Sequence, residues 1–287
     1  MIRLENVWKR YKKGSFFSHE YVEVLKDVSL KVKKGEHVGI IGESGAGKST
    51  LCRILSLLEV PDKGSVFFEG KEITKKNIKE KRGVVGMVFQ DPATSLDPLM
   101  SIRDTLREAE KLNDDELGVW LKKVGLDKSI LKRKPSELSG GQQQRVAIAR
   151  TLIAKAKCVV FDEFTSALDV STQARIVNMI CDLNRDREFS FVFVSHDVRL
   201  IGYLSDRIYV MYKGEIVEEL NTLNKPKHPY TKALIEGRSE EMKDNNTSDD
   251  GCSFYSFCPY RMDRCKKQKP KLYNISKNSA VRCFLYD

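Results

Sequence analysis

No stretch of this 287-residue chain comes near the ~20 apolar residues that a bilayer-crossing helix needs. The apolar runs at residues 38–41, 158–161 and 191–194 are only a few residues each. The chain is therefore not expected to span a membrane. Its opening, Met1-Ile2-Arg3-Leu4-Glu5, has no apolar segment of the secretory kind, which makes the cytoplasm the expected compartment. Lysines gather at residues 71–82 and 122–134, but without interleaved aromatics that could stack on bases. Nucleic acid is not an expected partner, and the net charge of +10 reads as a lysine-rich solvated surface. Internal repeats are absent, as is low complexity outside the polar run 240–250.

What is present fits one globular main domain with small appendages, since 41% hydrophobic and 31% charged residues leave neither a disordered nor a fibrous chain. Residues 2–11 and 22–32 alternate apolar and polar side chains, as half-buried strands do. Runs 38–41, 159–161 and 191–194 do not alternate, which predicts strands buried on both faces in a parallel sheet covered by helices. An α/β fold follows, with its chemistry beyond the carboxyl ends of those strands. A helical insertion is expected at about residues 99–150, charged and without buried-strand runs up to 134. Residues 209–219 read as a hairpin around Lys213-Gly214. The expected units are a main domain at 1–239, a linker at 240–251 and a cysteine-bearing extension at 252–287.

Gly42-Glu43-Ser44-Gly45-Ala46-Gly47-Lys48-Ser49 lies between the buried run 38–41 and the helix-like run Thr50 to Leu58. Glycines let backbone N–H groups turn toward phosphate oxygens, Lys48 supplies a cation, and the Ser49 hydroxyl can ligate Mg²⁺. A phosphate loop needs an acidic partner on a neighbouring strand, and Asp162-Glu163 ends the run 158–161. Asp162 is expected to hold Mg²⁺ through water and Glu163 to polarise the attacking water. Taken singly, an apolar run ending in two carboxylates is common; paired with the loop it points to ATP chemistry.

Leu138-Ser139-Gly140-Gly141-Gln142 opens a strongly helical segment, where a serine and two glycines make an anion site of exposed N–H groups and positive dipole. This pentapeptide resembles the signature motif of ATP-binding cassette ATPases. The resemblance covers residues 1 to about 235 and implies a RecA-like P-loop NTPase core with an antiparallel β subdomain and a helical insertion. It also implies a second cassette, because in that family the signature meets the γ-phosphate of ATP held by the facing subunit. Tyr11 matches the aromatic residue that stacks on adenine, and Gln90 the glutamine linking Mg²⁺ and water to the membrane subunits. Ser166-Ala167-Leu168-Asp169 matches the loop that contacts the facing cassette, and His196 the switch histidine at the γ-phosphate. The implied nucleotide-binding set is Tyr11, Gly42, Ser44, Gly45, Gly47, Lys48, Ser49, Thr50, Asp162, Ser139, Gly140, Gly141, Gln142 and Asp169. The implied catalytic set is Glu163, His196 and Gln90, with Mg²⁺ at Ser49, Gln90 and Asp162. The chain departs from the family at Phe164, where a proline normally follows the acidic pair.

Within the family, the stretch from Phe89-Gln90-Asp91-Pro92 to Leu96-Asp97-Pro98, and His228-Pro229-Tyr230-Thr231, resemble peptide and nickel importers. The implied cargo is an oligopeptide or dipeptide, with nickel or a nickel chelate as the alternative. The implied partners are two permease subunits, an extracytoplasmic solute-binding protein and commonly a second, non-identical cassette, with the chain peripheral on the cytoplasmic side of the membrane. A groove beside Gln90 is expected to receive the permease's coupling helix. A soluble cassette ATPase of DNA repair or translation is the competing class, but no long coiled coil, paired cassette or zinc insertion is visible. Cys252, Cys258, Cys265 and Cys283 argue for metal before disulfide, and similar tails of peptide-importer cassettes imply a [4Fe–4S] cluster, with zinc the alternative. Cys52, Cys158 and Cys181 read as small core residues.

Overall fold

The computed structural model describes residues 1–13, 20–185, 187–238, 251–276 and 278–287. The alternating runs form the first sheet: β1 (Ile2–Lys12) pairs antiparallel with β2 (Tyr21–Val32). The sheet is completed in the order β2-β1-β4-β5 by β4 (Lys63–Phe68) and β5 (Lys71–Ile73). Ile2, Leu4, Val7, Val28 and Val66 make its buried face, and they cover one side of the second sheet.

That second sheet explains the runs without alternation. β3 (His37–Ile41), β6 (Val85–Val88), β7 (Cys158–Asp162), β8 (Ser190–Ser195) and β9 (Arg207–Tyr212) lie parallel in the order β9-β3-β8-β7-β6. Val160, Val192 and Val194 face the first sheet and α1 (Lys48–Leu55). Phe161, Phe191 and Phe193 face the opposite core. Both faces are dry, so the middle positions of these strands are mostly apolar, and the buried polar side chains His37, Asp162 and Arg207 stand at strand ends. β10 (Glu215–Leu220) returns antiparallel to β9 across Lys213-Gly214, both at positive φ (45° and 86°), as a tight hairpin turn requires.

Helices α2 (Ile102–Arg107), α3 (Asp114–Lys123) and α4 (Gly140–Ile153) follow β6, and Ile102, Leu106, Leu117, Leu121 and Val146 join their cores to the Phe161 side of the sheet. The start of α3 is set by a capping box in which Asn113 and Glu116 satisfy each other's backbone N–H groups. α5 (Val170–Leu183) and α6 (Val198–Leu204) follow β7 and β8. No helix among the described residues is long and apolar enough to cross a membrane.

Downstream, α7 (Pro229–Ile235) precedes the run 240–250, which lies outside the described residues, and α8 (Asp263–Lys267) follows it. β12 (Ser279–Val281) pairs with β10 and with β11 (Tyr273–Ser276), so residues of the cysteine-bearing extension add two strands to the large sheet. Glu218 of β10, fully buried, accepts from the N–H groups of Lys227 (2.7 Å) and His228 (3.0 Å). His228 caps α7 by accepting from the Tyr230 N–H at 3.1 Å.

Burial pushes His228 down from its ordinary 6.5 to about 3, so the folded chain keeps it neutral where the unfolded chain takes up a proton. Stability present above about pH 6.5 is therefore lost as pH falls through that window. His228→Asn keeps an acceptor for the Tyr230 N–H. Thermal midpoints measured from about pH 7 to about pH 5 should fall less steeply in that variant than in the unsubstituted chain. Equal slopes would contradict the assignment.

Candidate nucleotide site

Four parallel strands deliver the catalytic candidates to one edge of the sheet: β3 leads into the glycine-rich loop, β7 ends at Asp162, β8 precedes His196, and β6 precedes Gln90. Gly45 and Gly47 sit at φ 81° and 98°, a region that favours glycine, and a Cβ on Gly47 would lie 2.7 Å from the Val24 carbonyl oxygen. Gly47 also caps α1 and brings no side-chain oxygen to it. The first amides of α1 are thus left as donors at the positive end of a helix dipole, an arrangement that suits phosphate.

Lys48 is buried at the mouth of this loop. Its Nζ donates to the carbonyls of Gly42 and Glu43, both at 2.9 Å, and lies 3.6 Å from Glu163 Oε1. His196 Nδ1 is also 3.6 Å from Glu163 Oε1, and its side chain is exposed. Glu163 itself has φ 45° and is anchored by its N–H to the Val194 carbonyl at 2.9 Å. A glutamate in the left-handed region costs about 1–3 kcal/mol, which surrounding structure must hold in place. Phe164 fills the core instead of following a proline path: its ring packs 5.0 Å from Phe161, and the Ser166 Oγ still reaches back to the Glu163 carbonyl at 2.9 Å.

Asp162 is buried, and burial raises its carboxyl pKa, opposed chiefly by a hydrogen bond from the Ser49 side chain. Its Oδ1 has no hydrogen-bond partner among the described residues. An orphaned buried carboxylate oxygen beside a serine hydroxyl is the donor chemistry of a hard divalent cation, so the residues fit Mg²⁺. Cys52 went unassigned in the sequence beyond a core role. It is indeed fully buried, but its thiol also bonds Asp162, and burial with that neighbouring carboxyl keeps it protonated. The signal was its spacing, four residues and one helical turn after Lys48.

Tyr11 lies near the same loop. Its hydroxyl donates to Glu59 Oε2 at 2.7 Å and also interacts with the Thr50 side chain, and burial followed by Glu59 raises its pKa. Gln90 is exposed just past β6. Next to it Leu58, Met87, Phe89, Ala109 and Arg150 line an open groove of about 360 Å³.

The remaining candidates gather elsewhere, at the neighbouring ends of α4 and α5. Ser139 Oγ accepts from the Gln142 N–H at 3.3 Å and Gln142 Oε1 accepts from the Ser139 N–H at 2.9 Å, a reciprocal cap that leaves Ser139 and Gly140 exposed. Asp169 caps α5, accepting from the Ser171 hydroxyl at 2.7 Å and the Thr172 N–H at 3.0 Å, and these bonds hold its carboxyl well below the usual range.

A family model described as ABC transporter matches residues 25–166, and one described as the oligopeptide/dipeptide transporter C-terminal region matches residues 215–265. The oligopeptide transport ATP-binding protein OppF of Haemophilus influenzae is 36% identical over 94% of this chain and 91% of its own length. This chain belongs to the ABC transporter ATPase family. It is accordingly an ATP-binding ATP hydrolase with a P-loop NTPase fold. The dipeptide transport ATP-binding protein DppF of Escherichia coli is 34% identical over 96% of this chain and 91% of its own length. A solved dimeric ATP-binding cassette in a post-hydrolysis state with ADP and Pi superposes with a TM-score of 0.68 at 32% identity. That match covers 77% of this chain and 98% of the cassette.

The cysteine-bearing extension gives a different result. Cys252, Cys258, Cys265 and Cys283 line one small cavity with His228 and Phe254, and burial pushes the Cys252 thiol up to about 12. Among the described residues, however, no group of three or more His, Cys, Asp or Glu side chains is placed to hold a metal ion. The expected iron–sulfur or zinc centre is therefore not supported by the geometry, although the four cysteines line the same cavity.

A Cβ on Gly141 would stand 2.4 Å from Thr172 Cγ2, whereas on Gly140 it would meet only Leu168 Cδ2 at 3.6 Å. Gly141→Ala should lose about 1–3 kcal/mol in denaturant unfolding because the stiff Thr172 cannot retreat. Gly140→Ala should be near neutral. Equal effects of the two would remove the close α4–α5 approach as the reason for glycine at 141.

Proposed function

We propose that this chain is the ATP-hydrolysing subunit of an importer of oligopeptides or dipeptides, peripheral at the cytoplasmic face of the membrane. The observation that carries the cargo class is the match of residues 215–265 to the C-terminal region of oligopeptide/dipeptide transporters, supported by relatives named for peptide transport. Nickel import has no such support. The division into a main domain at 1–239, a linker at 240–251 and an extension at 252–287 belongs to the same reading.

Bound Mg·ATP supplies the γ-phosphoryl group that is transferred to water. Around it, the amides of Gly42, Ser44, Gly45, Gly47 and Thr50 cradle phosphate, Lys48 neutralises it, and Tyr11 stacks on adenine. Ser49, Asp162 and Gln90 would hold the cation, Asp162 through water, and the cation would neutralise charge developing on the phosphate; Gln90 would link its occupancy to the groove beside Phe89, where a permease helix docks. Glu163 orients water and accepts its proton, with His196 beside it at the γ-phosphate. Ser139, Gly140, Gly141, Gln142 and Asp169 stand apart from these groups, which supports their serving the site of a second cassette that faces this one. Two permease subunits and an extracytoplasmic solute-binding protein complete the importer.

Glu163→Gln should lower ATP turnover by the reconstituted importer about 10²–10⁴-fold while Mg·ATP affinity stays within a few-fold. Unchanged turnover would take the general-base role from Glu163. Peptide-loaded binding protein should stimulate the unsubstituted complex and nickel chelates should not; the reverse pattern overturns the cargo. We assign the cysteine cavity no step in hydrolysis. The donor chemistry of its four thiols is the basis for reading it as a metal centre. Iron or zinc in anaerobically purified protein would support that reading, and absence of both would dismiss it.

A further inference from the structure

Tyr230 belongs to the His228–Thr231 motif, to which no role in catalysis has been attached, yet it touches the phosphate loop directly. Its side chain is fully buried. Its hydroxyl accepts a hydrogen bond from the Glu43 N–H at 3.2 Å. The carbonyl of Gly42, which belongs to the same planar peptide unit as that N–H, accepts from Lys48 Nζ at 2.9 Å. One rigid peptide plane is therefore gripped on one edge by Tyr230 and on the other by the ammonium that faces phosphate. Turning the plane to release one contact moves the other.

The tyrosine is itself held firmly. Its ring lies 4.4 Å from Tyr212 and 5.6 Å from Phe254, and Phe254 lies 5.8 Å from His228. Helix α7 cannot shift freely, because His228 caps it and Glu218 of the sheet binds the N–H groups before it. Phe254 comes from the cysteine-bearing extension and lines the thiol cavity. A packed path thus runs from that cavity through two aromatic rings to the Gly42–Glu43 peptide.

We propose that Tyr230 is a positioning residue for ATP binding: its hydroxyl orients the Gly42–Glu43 peptide and through it Lys48, and its ring ties that orientation to the C-terminal extension. This inference rests on the glycine-rich loop binding ATP. Binding of Mg·ATP by the unsubstituted chain is the control that separates failure of that premise from failure of the inference.

The test is a double-mutant cycle read by calorimetric titration with Mg·ATP. Tyr230→Phe keeps the ring and removes the hydroxyl. Glu43→Pro removes the donor N–H, and Glu43 is not among the residues at positive φ that a proline ring could not adopt. Tyr230→Phe alone should weaken binding about three- to tenfold, with KM for ATP raised more than kcat is lowered in the assembled importer. In the Glu43→Pro background the same substitution should change affinity by less than about twofold. Affinity of Tyr230→Phe within about twofold of the control, or the same loss in both backgrounds, overturns the proposal.

Discussion

The Lys48 ammonium is the charge around which this molecule is arranged. It is buried among the carbonyl oxygens of Gly42 and Glu43 with the Glu163 carboxylate 3.6 Å away. A buried cation persists only if enough oxygens surround it. Supplying them requires a loop that turns its carbonyls inward at one end and its amides inward at the other, which needs glycine at Gly45 and Gly47. It also requires β7 to end beside β3's loop, which the order β3-β8-β7 and the left-handed Glu163 achieve. Two of the three N–H donors of the ammonium go to the Gly42 and Glu43 carbonyls, which leaves a third to turn toward phosphate.

Much of this was legible in the residues. Strands buried on both faces announced themselves as unbroken apolar runs, and the loop announced itself by where its glycines fall between such a run and a helix. The hairpin at Lys213-Gly214 was legible from its glycine between two apolar runs, since glycine admits the positive φ that a tight turn requires. What local pattern could not carry was long-range pairing. The spacing of Cys52 from Lys48 places it on the loop's side of α1 but does not name Asp162, 110 positions later, as its partner, and nothing near Tyr230 points to Glu43, 187 positions earlier. Such contacts depend on sheet order, which period and composition do not encode.

The cysteines illustrate the opposite limit. Their number and spacing state a donor chemistry without stating a geometry, and the fold brings all four to one cavity while no three of them, among the described residues, are placed to hold a metal ion. Phe164 is a milder case. A departure from the family residue looks disruptive on paper, but a large ring among Phe161 and Phe193 is a volume the core accommodates, with the backbone beyond it still tied to Glu163 through Ser166.

The pairing of β12 with β10 carries a consequence for how the protein is made. During synthesis β10 is complete some sixty residues before its neighbour, Ser279–Val281, has been translated. Through that interval it offers an unmatched row of N–H and C=O groups, the template on which strands of other chains add. The late strands thus act as a seal on the nascent molecule, and a clipped chain end exposes a sticky flank out of proportion to the few residues removed.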